Sequence, residues 1–345
     1  MSKHCGFARV AYNFALSSFN AGRAVGEWRS CYDLKKEFNA VKYDKFSWCK
    51  ELSQNAGKNA IHNFDDAVDR WQKGQNRYPV HKKRSDKISY QADNGPDTID
   101  IDDKRIYLPK IGWIRMCEAL RWQGQIRRVV VSKRNGTWFA SILVNVDIVA
   151  EGKQSSLFHI TPKQPIGVDV GIKTLATCSD GVVYENPRPL QRFLKKLRRA
   201  NRSQSRKVRY SKNWQKAKKR LQAIHYRIAC IREDAHHKAT TDIVRRASSI
   251  GIETLKITNL LKNKKIAKAL SDSALGGFLS KLEYKADRHK VKIVKAGSFF
   301  ASSKTCSRCG HKIQDLTLSD RTYHCSECDL RIDRDLNAAI NLCPS

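Results

Sequence analysis

Three acidic residues could do chemistry together, although they lie far apart along the chain. They are Asp169 in the segment IGVDVGIKT, Glu253 in IGIETL and Asp335 in DRDLNAA. Divalent cations need several oxygen ligands, and carboxylates are their usual source in proteins. Three carboxylates that converge on folding can hold one or two magnesium ions for in-line attack on a phosphodiester. The sequence therefore predicts a magnesium site at these residues.

Each of these acids also has a purely structural interpretation. An Asp within a strand is costly to bury unless its charge is compensated, so Asp169 could lie at a sheet edge that faces water. Glu253 could form a surface salt bridge, and an Asp of the last segment could cap a helix. There, Asp335 is the expected metal ligand and Asp333 the expected cap. The glycines two residues before and after Asp169 would let a backbone or a phosphate approach closely.

Four of the 11 cysteines form a compact pattern, in which Cys306 with Cys309 and Cys325 with Cys328 make two CxxC pairs 15 residues apart. Two such turns can complete a tetrahedral shell with no open position, which is typical of structural zinc. A redox dithiol and a rubredoxin-like iron site are the alternatives. The other seven cysteines are scattered, which argues against a disulfide framework and predicts a reducing interior.

The chain carries a large excess of basic residues. Its 345 residues include 66 Lys plus Arg and 33 Asp plus Glu, a formal charge of +33. Because phosphate neutralisation supplies much of the affinity for nucleic acid, this charge predicts a nucleic-acid partner rather than a typical metabolic reaction. A ribosomal or chromatin-type binder is the alternative, but it would not need the three acids. We expect no membrane span, and residues 1–22 lack the apolar run of a signal peptide.

The first 150 residues change their apolar period once. Up to residue 72 apolar residues recur at steps of three and four, which predicts helices, the second over residues 49–71. The basic run 81–84 and neighbouring Gly and Pro end this pattern. Short strands are predicted at 89–92, 98–101, 105–108, 127–132 and 137–144, with turns at Gly95-Pro96 and Asn135-Gly136. This pattern predicts a helical lobe followed by a small β-barrel or curved sheet.

The second half combines strands with a basic helical segment. A polar linker over 151–164 precedes strands at 165–171, 182–185, 247–257 and 291–295, and a helix over 275–289. Residues 188–220 contain many Lys and Arg but no Asp or Glu. A leucine and isoleucine stripe over residues 190–231 predicts a hairpin of two long helices. A run so one-sided would repel itself without counter-ions, which favours nucleic-acid contact. Tyr210 and Trp214 could stack on bases or pack internally.

The candidate nucleic-acid contacts are basic residues of these two regions. They are Lys82, Lys83, Arg84, Lys195, Lys196, Arg198, Arg199, Lys218, Lys219 and Arg220.

Taken in order, the motifs resemble those of TnpB proteins, the RuvC-like nucleases of bacterial and archaeal insertion sequences that are related to type V CRISPR effectors. GVDVGIKT resembles the family's first RuvC motif, IETLKI followed by LKNKKIAKALSD the second, and DRDLNAAIN the third. The segment FFASSKTCSRCG leads into the family's zinc ribbon, and LPKIGWIR resembles its barrel segment. The resemblance runs from near the first residue to Asn341.

The resemblance implies an α/β chain with an RNase H-like (RuvC) nuclease domain, a zinc ribbon, a helical lobe and a small β-barrel. The expected bounds are 1–73 for the helical lobe, 74–150 for the barrel, 151–302 and 331–345 for the nuclease domain and 303–330 for the ribbon. The implied function is RNA-guided DNA cleavage by a protein of a transposable element. Asp169, Glu253 and Asp335 would be catalytic and hold Mg²⁺, and the four cysteines would hold structural Zn²⁺.

The implied partners are a guide RNA and target DNA, in a prokaryotic cytoplasm. Guide pairing would read the sequence, and the protein would read a short flanking motif. Relative to the family, the chain starts almost at the segment CGFARVAYN, so we expect that a barrel strand is missing. Two other functions are open: a nuclease-inactive RNA-guided DNA binder that acts as a repressor, and a transposition protein. The 11 tyrosines include no recognisable nucleophile for strand transfer.

Overall fold

The computed structural model describes residues 1–84, 88–95, 98–146, 163–297, 300–313 and 320–344. The chain divides into two compact units, Met1–Ala150 and Glu151–Ser345. No helix within the described ranges is both long and apolar enough to cross a membrane. Most of the predicted polar linker, residues 151–162, lies outside the described residues, as does Pro96 of the predicted turn.

Helices form the first part of the N-terminal unit. They are α1 (Ser2–Ala24), α2 (Cys31–Lys45), a short 3-10 helix (Ser47–Glu51) and α3 (Gln54–Gln72). Helix α1 buries Phe7, Ala11 and Phe19 on one face, each at most 1% exposed, as its apolar spacing predicts. The helix predicted over 49–71 begins later, at Gln54, because the 3-10 helix and an extended Leu52 precede it.

Six strands follow in this unit. They are β1 (Ile88–Asp93), β2 (Asp100–Asp102), β3 (Arg105–Leu108), β4 (Gly112–Arg115), β5 (Gln125–Arg134) and β6 (Thr137–Asn145). Asn135 and Gly136 both have positive φ, so the predicted hairpin turn between β5 and β6 is confirmed. The strands of the described residues make two antiparallel sheets, β1–β5–β6 and β2–β3–β4, and not the predicted closed barrel.

The reason for this difference lies in how the first sheet is covered. Tyr90 and Ala92 of β1 are almost fully buried in the same apolar core as helices α1 and α3. The alternating apolar pattern of β1 therefore indicates a sheet face that packs on helices and not the interior of a barrel. Alternation predicts which face of a strand is buried, but it does not predict which strands pair.

The C-terminal unit is a mixed sheet with helices. Its elements are β7 (Gln164–Val170), β8 (Thr174–Cys178), β9 (Val183–Glu185), α4 (Pro189–Ser205), α5 (Lys212–Arg246), β10 (Ala247–Glu253), α6 (Ile257–Leu260), α7 (Ala267–Ser273), α8 (Leu275–Arg288), β11 (Lys292–Ala296), β12 (Thr322–His324), β13 (Arg331–Asp333) and α9 (Arg334–Leu342). The predicted basic hairpin is present as α4 and α5. Helix α5 continues to Arg246, which makes it about 52 Å long.

The main sheet has the order β11–β10–β7–β8–β9. Strands β7, β8 and β9 are antiparallel neighbours, whereas β10 runs parallel to β7 and β11 runs parallel to β10. Ile166 and Val168 of β7, with Ile250 and Ile252 of β10, belong to one buried core together with residues of α5 and α8. The opposite face of the same two strands is left for α9.

A buried carboxylate anchors the start of the basic hairpin. Asp272, at the end of α7, accepts hydrogen bonds from the backbone N–H groups of Leu190 (2.9 Å) and Gln191 (3.0 Å) in the first turn of α4. Arg232 of α5 pairs with the same carboxylate at 3.4 Å. One buried charge is therefore compensated by a helix N-terminus and an arginine, and it ties both helices of the hairpin to α7.

Candidate functional site

Asp169 and Glu253 lie at matching positions on two adjacent parallel strands. Val168 of β7 pairs with Ile252 of β10, and each acid is the next residue along its strand. Parallel strands end at the same edge of a sheet, so both carboxylates lie at the carboxyl ends of β7 and β10. Each side chain is half-buried, which leaves it accessible to a ligand.

Two glycines let α9 lie directly on these strands. Gly167 and Gly251 are paired in the register of β7 and β10. A Cβ atom on Gly167 would lie 1.9 Å from the carbonyl oxygen of Ala339, and one on Gly251 would lie 1.7 Å from that of Leu342. Since side chains alternate along a strand, residues two positions further on, Asp169 and Glu253, face the same side of the sheet as α9.

Helix α9 brings the third acid to this face. The last turn of α9 lies over the paired glycines, and Asp335 in its first turn is near enough to Asp169 for its charge to act on that carboxyl. Asp333 caps the helix, because its carboxylate accepts hydrogen bonds from the backbone N–H groups of Asp335 (2.9 Å) and Leu336 (3.1 Å). The expected division between a capping Asp333 and a half-buried, available Asp335 therefore fits this geometry.

The three carboxylates affect one another electrostatically. Burial, and then the negative charges of Glu253 and Asp335, raise the pKa of Asp169 to about 8, against a smaller opposing effect of Arg334. The three groups are not yet at ligand spacing, since within the described residues only the cysteine set has its candidate ligand atoms all within 4.8 Å of one another. Burial and the neighbouring negative charges disfavour the ionised form of Asp169, and a bound cation would favour it.

The four cysteines are already placed for one ion. Their sulfur atoms all lie within 4.8 Å of one another. The Sγ atoms of Cys306 and Cys328 are 3.6 Å apart and those of Cys309 and Cys325 are 3.5 Å apart, too far for a disulfide. A tetrahedral site with metal–sulfur bonds of about 2.3 Å has sulfur–sulfur edges of about 3.8 Å, so these distances fit a bound metal ion.

The surroundings of this cluster shift the pKa of its thiols in opposite directions. Burial alone would raise the pKa of Cys306, but backbone N–H groups of Cys309 and Arg308 and the thiol of Cys328 lower it to about 6. In contrast, the pKa of Cys328 is raised, chiefly by burial. The thiolate form is thus favoured at Cys306 and disfavoured at Cys328, and a bound metal ion would favour it at all four cysteines.

The predicted nucleic-acid contacts fall into different environments. The four predicted residues of α4 are exposed, and Lys195, Arg198 and Arg199 line one open groove together with Arg202 and Arg206. On α5, Lys219 and Arg220 are exposed, whereas the ammonium of Lys218 lies 5.5 Å from the ring of Trp214. Tyr210 packs against Trp214 and is still 67% exposed, so the stacking and packing roles of this pair are compatible.

The third predicted basic run lies in the N-terminal unit. Lys82, Lys83 and Arg84 are exposed, but the ammonium of Lys82 lies 3.7 Å from the ring centroid of Tyr12. The backbone of Lys82 also exchanges two hydrogen bonds with the side chain of Asn13. Lys82 is therefore held on α1, which leaves Lys83 and Arg84 as the freer members of this run.

The sequence did not single out three residues that hold the acidic face together. Ser302 donates a hydrogen bond to Glu253, and Asn337 and Asn341 of α9 bind the backbone that leads into the first CxxC turn. The signal that could have found the asparagines is their spacing. They stand four residues apart, on one face of a short helix, directly after Asp335.

An acidic sheet face, a basic helical hairpin and a cysteine cluster that could hold a metal ion, all in one α/β unit, are typical of a protein that acts on nucleic acid. Comparisons with known proteins identify its family. Residues 152–264 match OrfB_IS605, described as "Probable transposase", and residues 276–342 match the Cas12f1-like TNB domain.

Two relatives match almost the whole chain. "Putative RNA-guided DNA endonuclease InsQ" of Escherichia coli K12 is 28% identical over 99% of this chain and 87% of its own length. "Putative RNA-guided DNA endonuclease" of Streptomyces pristinaespiralis is 30% identical over 99% of this chain and 84% of its own length. The chain belongs to the family of these proteins and of the TnpB-like proteins, which confirms the resemblance seen in its motifs.

More distant matches extend to Cas12f1. "CRISPR-associated endodeoxyribonuclease Cas12f1" of an uncultured archaeon is 23% identical over 63% of this chain and 43% of its own length. A cryo-EM structure of a Cas12f1–sgRNA–target DNA complex aligns over 99% of this chain and 93% of that chain, with 14% identity and a TM-score of 0.38.

Proposed function

We propose that this chain is an RNA-guided DNA endonuclease encoded by a transposable element, and that it hydrolyses DNA with a divalent metal held by Asp169, Glu253 and Asp335. The observation that carries the proposal is that three distant acids meet on one face of the sheet. The names of the relatives supply the substrate class and the RNA guide.

The sheet supports an RNase H-like (RuvC) identity for the C-terminal unit. Three antiparallel strands, β7 to β9, are joined on one side by the parallel strands β10 and β11, which gives the order β11–β10–β7–β8–β9. In this arrangement β7 and β10, the first and fourth strands of the sheet in chain order, are neighbours. They are the strands that carry Asp169 and Glu253, so the topology explains why two acids so far apart in sequence lie side by side.

All three candidate ligands are carboxylates, which suit magnesium better than a softer metal. When bound, Mg²⁺ lowers the pKa of an attacking water and stabilises the charge that develops on the phosphate. The protein's own part is to present the ligands. Asp169 and Glu253 come from rigid strands and Asp335 from the first turn of α9, so folding sets their positions before substrate arrives.

The four cysteines are proposed to hold a structural Zn²⁺. Four sulfur ligands leave no open position for a substrate, and the observed sulfur–sulfur distances fit a tetrahedral site. The cluster follows segment 302–305, which contacts both Glu253 and α9. A metal here would therefore stabilise the surroundings of the acids without taking part in hydrolysis.

Guide RNA and target DNA are the proposed partners. The groove lined by Lys195, Arg198, Arg199, Arg202 and Arg206 offers positive charge along one side of α4. The formal charge of +33 supports a large polyanionic partner. We place this activity in the prokaryotic cytoplasm, because relatives that match almost the whole chain come from bacteria, and we expect base pairing with the guide to supply sequence specificity.

The test is guided cleavage by the wild type and by Asp169→Ala. RNA transcribed from the flanking locus is co-expressed with the chain, the complex is purified, and matched DNA is added with Mg²⁺. The wild type should cut, and Asp169→Ala should cut on the order of a thousandfold more slowly. Binding of the same DNA in Ca²⁺ should be nearly equal for both proteins.

Asp287→Ala is the matched control, since Asp287 is exposed on α8, away from the ends of β7 and β10. It should cut like the wild type. Equal cutting by Asp169→Ala would refute the proposed site. If the wild type binds a discrete RNA and matched DNA but leaves the DNA uncut, the nuclease-inactive binder is the correct function instead.

A further inference from the structure

A short segment connects the acidic face to the cysteine cluster. We propose that Ser302, Asn337 and Asn341 are positioning residues that hold Glu253 and Asp335 in place, with the cysteine cluster as their anchor. The inference rests on the proposed nuclease function, and it assigns to these residues a role in metal binding that goes beyond folding of the ribbon.

The first contact is between Ser302 and Glu253. Ser302 is 2% exposed, and its hydroxyl donates a hydrogen bond to Oε1 of the Glu253 carboxylate. A carboxylate has room for several donors or cations on its two oxygens. The hydroxyl therefore fixes the orientation of the Glu253 side chain and leaves capacity for a metal ion.

The second contact joins α9 to the interior of the first CxxC turn. Asn337 is fully buried, its Nδ2 donates to the carbonyl of Thr305 at 2.7 Å, and its Oδ1 accepts from the backbone N–H of Ser307 at 3.0 Å. Ser307 stands between Cys306 and Cys309. Because Asn337 follows Asp335 by two residues, the first turn of α9 is tied directly to the metal-binding turn.

The third contact joins α9 to the backbone of Ser302 and Thr305. Asn341 lies one turn after Asn337, and its Nδ2 donates to the carbonyls of Ser302 (2.8 Å) and Thr305 (2.7 Å). The carbonyl of Thr305 thus accepts from both asparagines. One side of α9 holds segment 302–307 by its backbone, and that segment holds Glu253 by the side chain of Ser302.

These bonds fix the surroundings of the acids, because Glu253 and α9, which carries Asp335, both bind segment 302–307. Partners that hydrogen-bond or position metal ligands commonly change metal affinity or activity by about 10–100-fold when they are removed. A residue that only packs would change stability but not the response to the metal.

The experiment compares Ser302→Ala, Ser302→Thr, Asn337→Ala and Asn341→Ala with the wild type as zinc-loaded full-length protein. Single-turnover cutting of matched DNA is measured against Mg²⁺ concentration in the guide RNA complex. Mn²⁺ binding is measured by calorimetry on the RNA-free chain, where the heat lost in Asp169→Ala defines the site. For the three Ala variants we expect the half-saturating Mg²⁺ and Mn²⁺ concentrations to rise about 10-fold or more, with one zinc retained per chain.

Excess Mg²⁺ should rescue cutting by the Ala variants, and Ser302→Thr, which keeps the hydroxyl, should behave nearly as the wild type. Matched controls are Ser280→Ala and Asn259→Ala, both exposed and outside segment 302–307. If Ser302→Ala cuts with an unchanged Mg²⁺ dependence, the inference is overturned, even where Asn337→Ala fails to fold. A wild type that does not cut would instead refute the proposed function.

Discussion

The C-terminal unit contains two clusters of candidate metal ligands that differ in how closely their ligand atoms are spaced. The four sulfur atoms lie within 4.8 Å of one another, at distances that a tetrahedral metal would require. The three carboxylates share one sheet face and raise the pKa of Asp169, but they lie further apart. The difference is expected if the cysteines form a closed structural site and the acids form an open site that takes a metal together with a substrate phosphate.

The two clusters also differ in how much of the fold is needed to assemble them. The sulfur cluster is assembled by two tight turns, and Tyr323 and two of its cysteines make a small core of their own. The acids are carried by elements from three distant parts of the chain, and only the packing of α9 on β7 and β10 brings them together. The acidic site should therefore be the more easily disturbed of the two by changes in the sheet.

The largest expected effect follows removal of the metal from the cysteines. Binding of structural zinc in small domains contributes about 10–16 kcal/mol at neutral pH, so its loss should unfold the ribbon. Treatment with a zinc chelator such as 1,10-phenanthroline should release one zinc per chain, expose residues 303–330 to protease and abolish cutting. Zn²⁺ should restore cutting after the chelator is removed.

Removal of Mg²⁺ alone is the matched control for this prediction. It should stop cutting but leave the ribbon protected from protease, and renewed Mg²⁺ should restore activity at once. The contrast between the two clusters would fail if Mg²⁺ alone restored cutting to zinc-depleted protein, or if depletion left the protease pattern unchanged.

The next largest effect concerns the glycines under α9. Gly251→Ala would place a Cβ atom 1.7 Å from the carbonyl oxygen of Leu342, and Gly167→Ala would place one 1.9 Å from that of Ala339. The helix must move, at a cost above the usual overpacking range of about 1–3 kcal/mol, and Asp335 moves with it. Thermal unfolding and guided cutting should both show the loss, while the zinc content stays at one per chain.

Gly297→Ala is the control, because a Cβ atom at Gly297 meets nothing within 4 Å. That variant should keep both the stability and the activity of the wild type. Gly167→Ala with normal cutting would show that α9 does not rest on the sheet as described.

These glycines also show the limits of the sequence. Local patterns nominated Asp169, Glu253, Asp335 and the CxxC pairs as candidate ligands, and the relatives confirm the family. The pairing of Gly167 with Gly251 depends on the register of two strands that are distant in sequence, and no local period carries that information. The same reason explains the missed bond from Asp272 to the α4 backbone, 82 residues away.

The sheets of the N-terminal unit show the other kind of limit. The segment 105–108 was predicted with its correct bounds as β3, and the Asn135-Gly136 hairpin was also correct. The short strands β4 and β8 were not predicted, because four or five residues give too few alternations to recognise. A small barrel or curved sheet was predicted from the short strands and their turns, whereas the described strands form two open sheets, and the sheet β1–β5–β6 packs against helices through β1.

A pH effect should separate the acidic site from the sulfur site. In the metal-free acidic site the pKa of Asp169 is about 8, whereas an unfolded Asp has a pKa of about 4. Below pH 4 both states are protonated and there is no penalty. Between pH 4 and 8 the unfolded state has lost a proton that the folded state keeps, so stability should fall with rising pH, by on the order of 1–3 kcal/mol.

This effect is measured by urea unfolding of zinc-loaded protein without Mg²⁺ at pH 5 to 8. Asp169→Asn should flatten the pH profile, and Mg²⁺ should do the same for the wild type, since a cation favours the ionised acids. Asp287→Asn, on the exposed face of α8, should keep the wild-type slope. Parallel profiles for the wild type and Asp169→Asn would mean that the acids do not interact as described.

The smallest effect is expected in the sulfur cluster, at Tyr323. Its buried phenol donates to the carbonyls of Lys304 (3.3 Å) and His311 (3.2 Å), which flank the first CxxC pair. Burial, and then the nearby cysteine charges, raise its pKa to about 12, so it remains a donor at neutral pH. Tyr323→Phe should destabilise the ribbon by about 1 kcal/mol, the net value of one such bond, and leave the Mg²⁺ dependence of cutting unchanged.

Tyr284→Phe, at a half-exposed site on α8, is the control and should change neither the stability of the ribbon nor the Mg²⁺ dependence of cutting. A shifted Mg²⁺ dependence in Tyr323→Phe would show that the two clusters are coupled more tightly than through Ser302, Asn337 and Asn341.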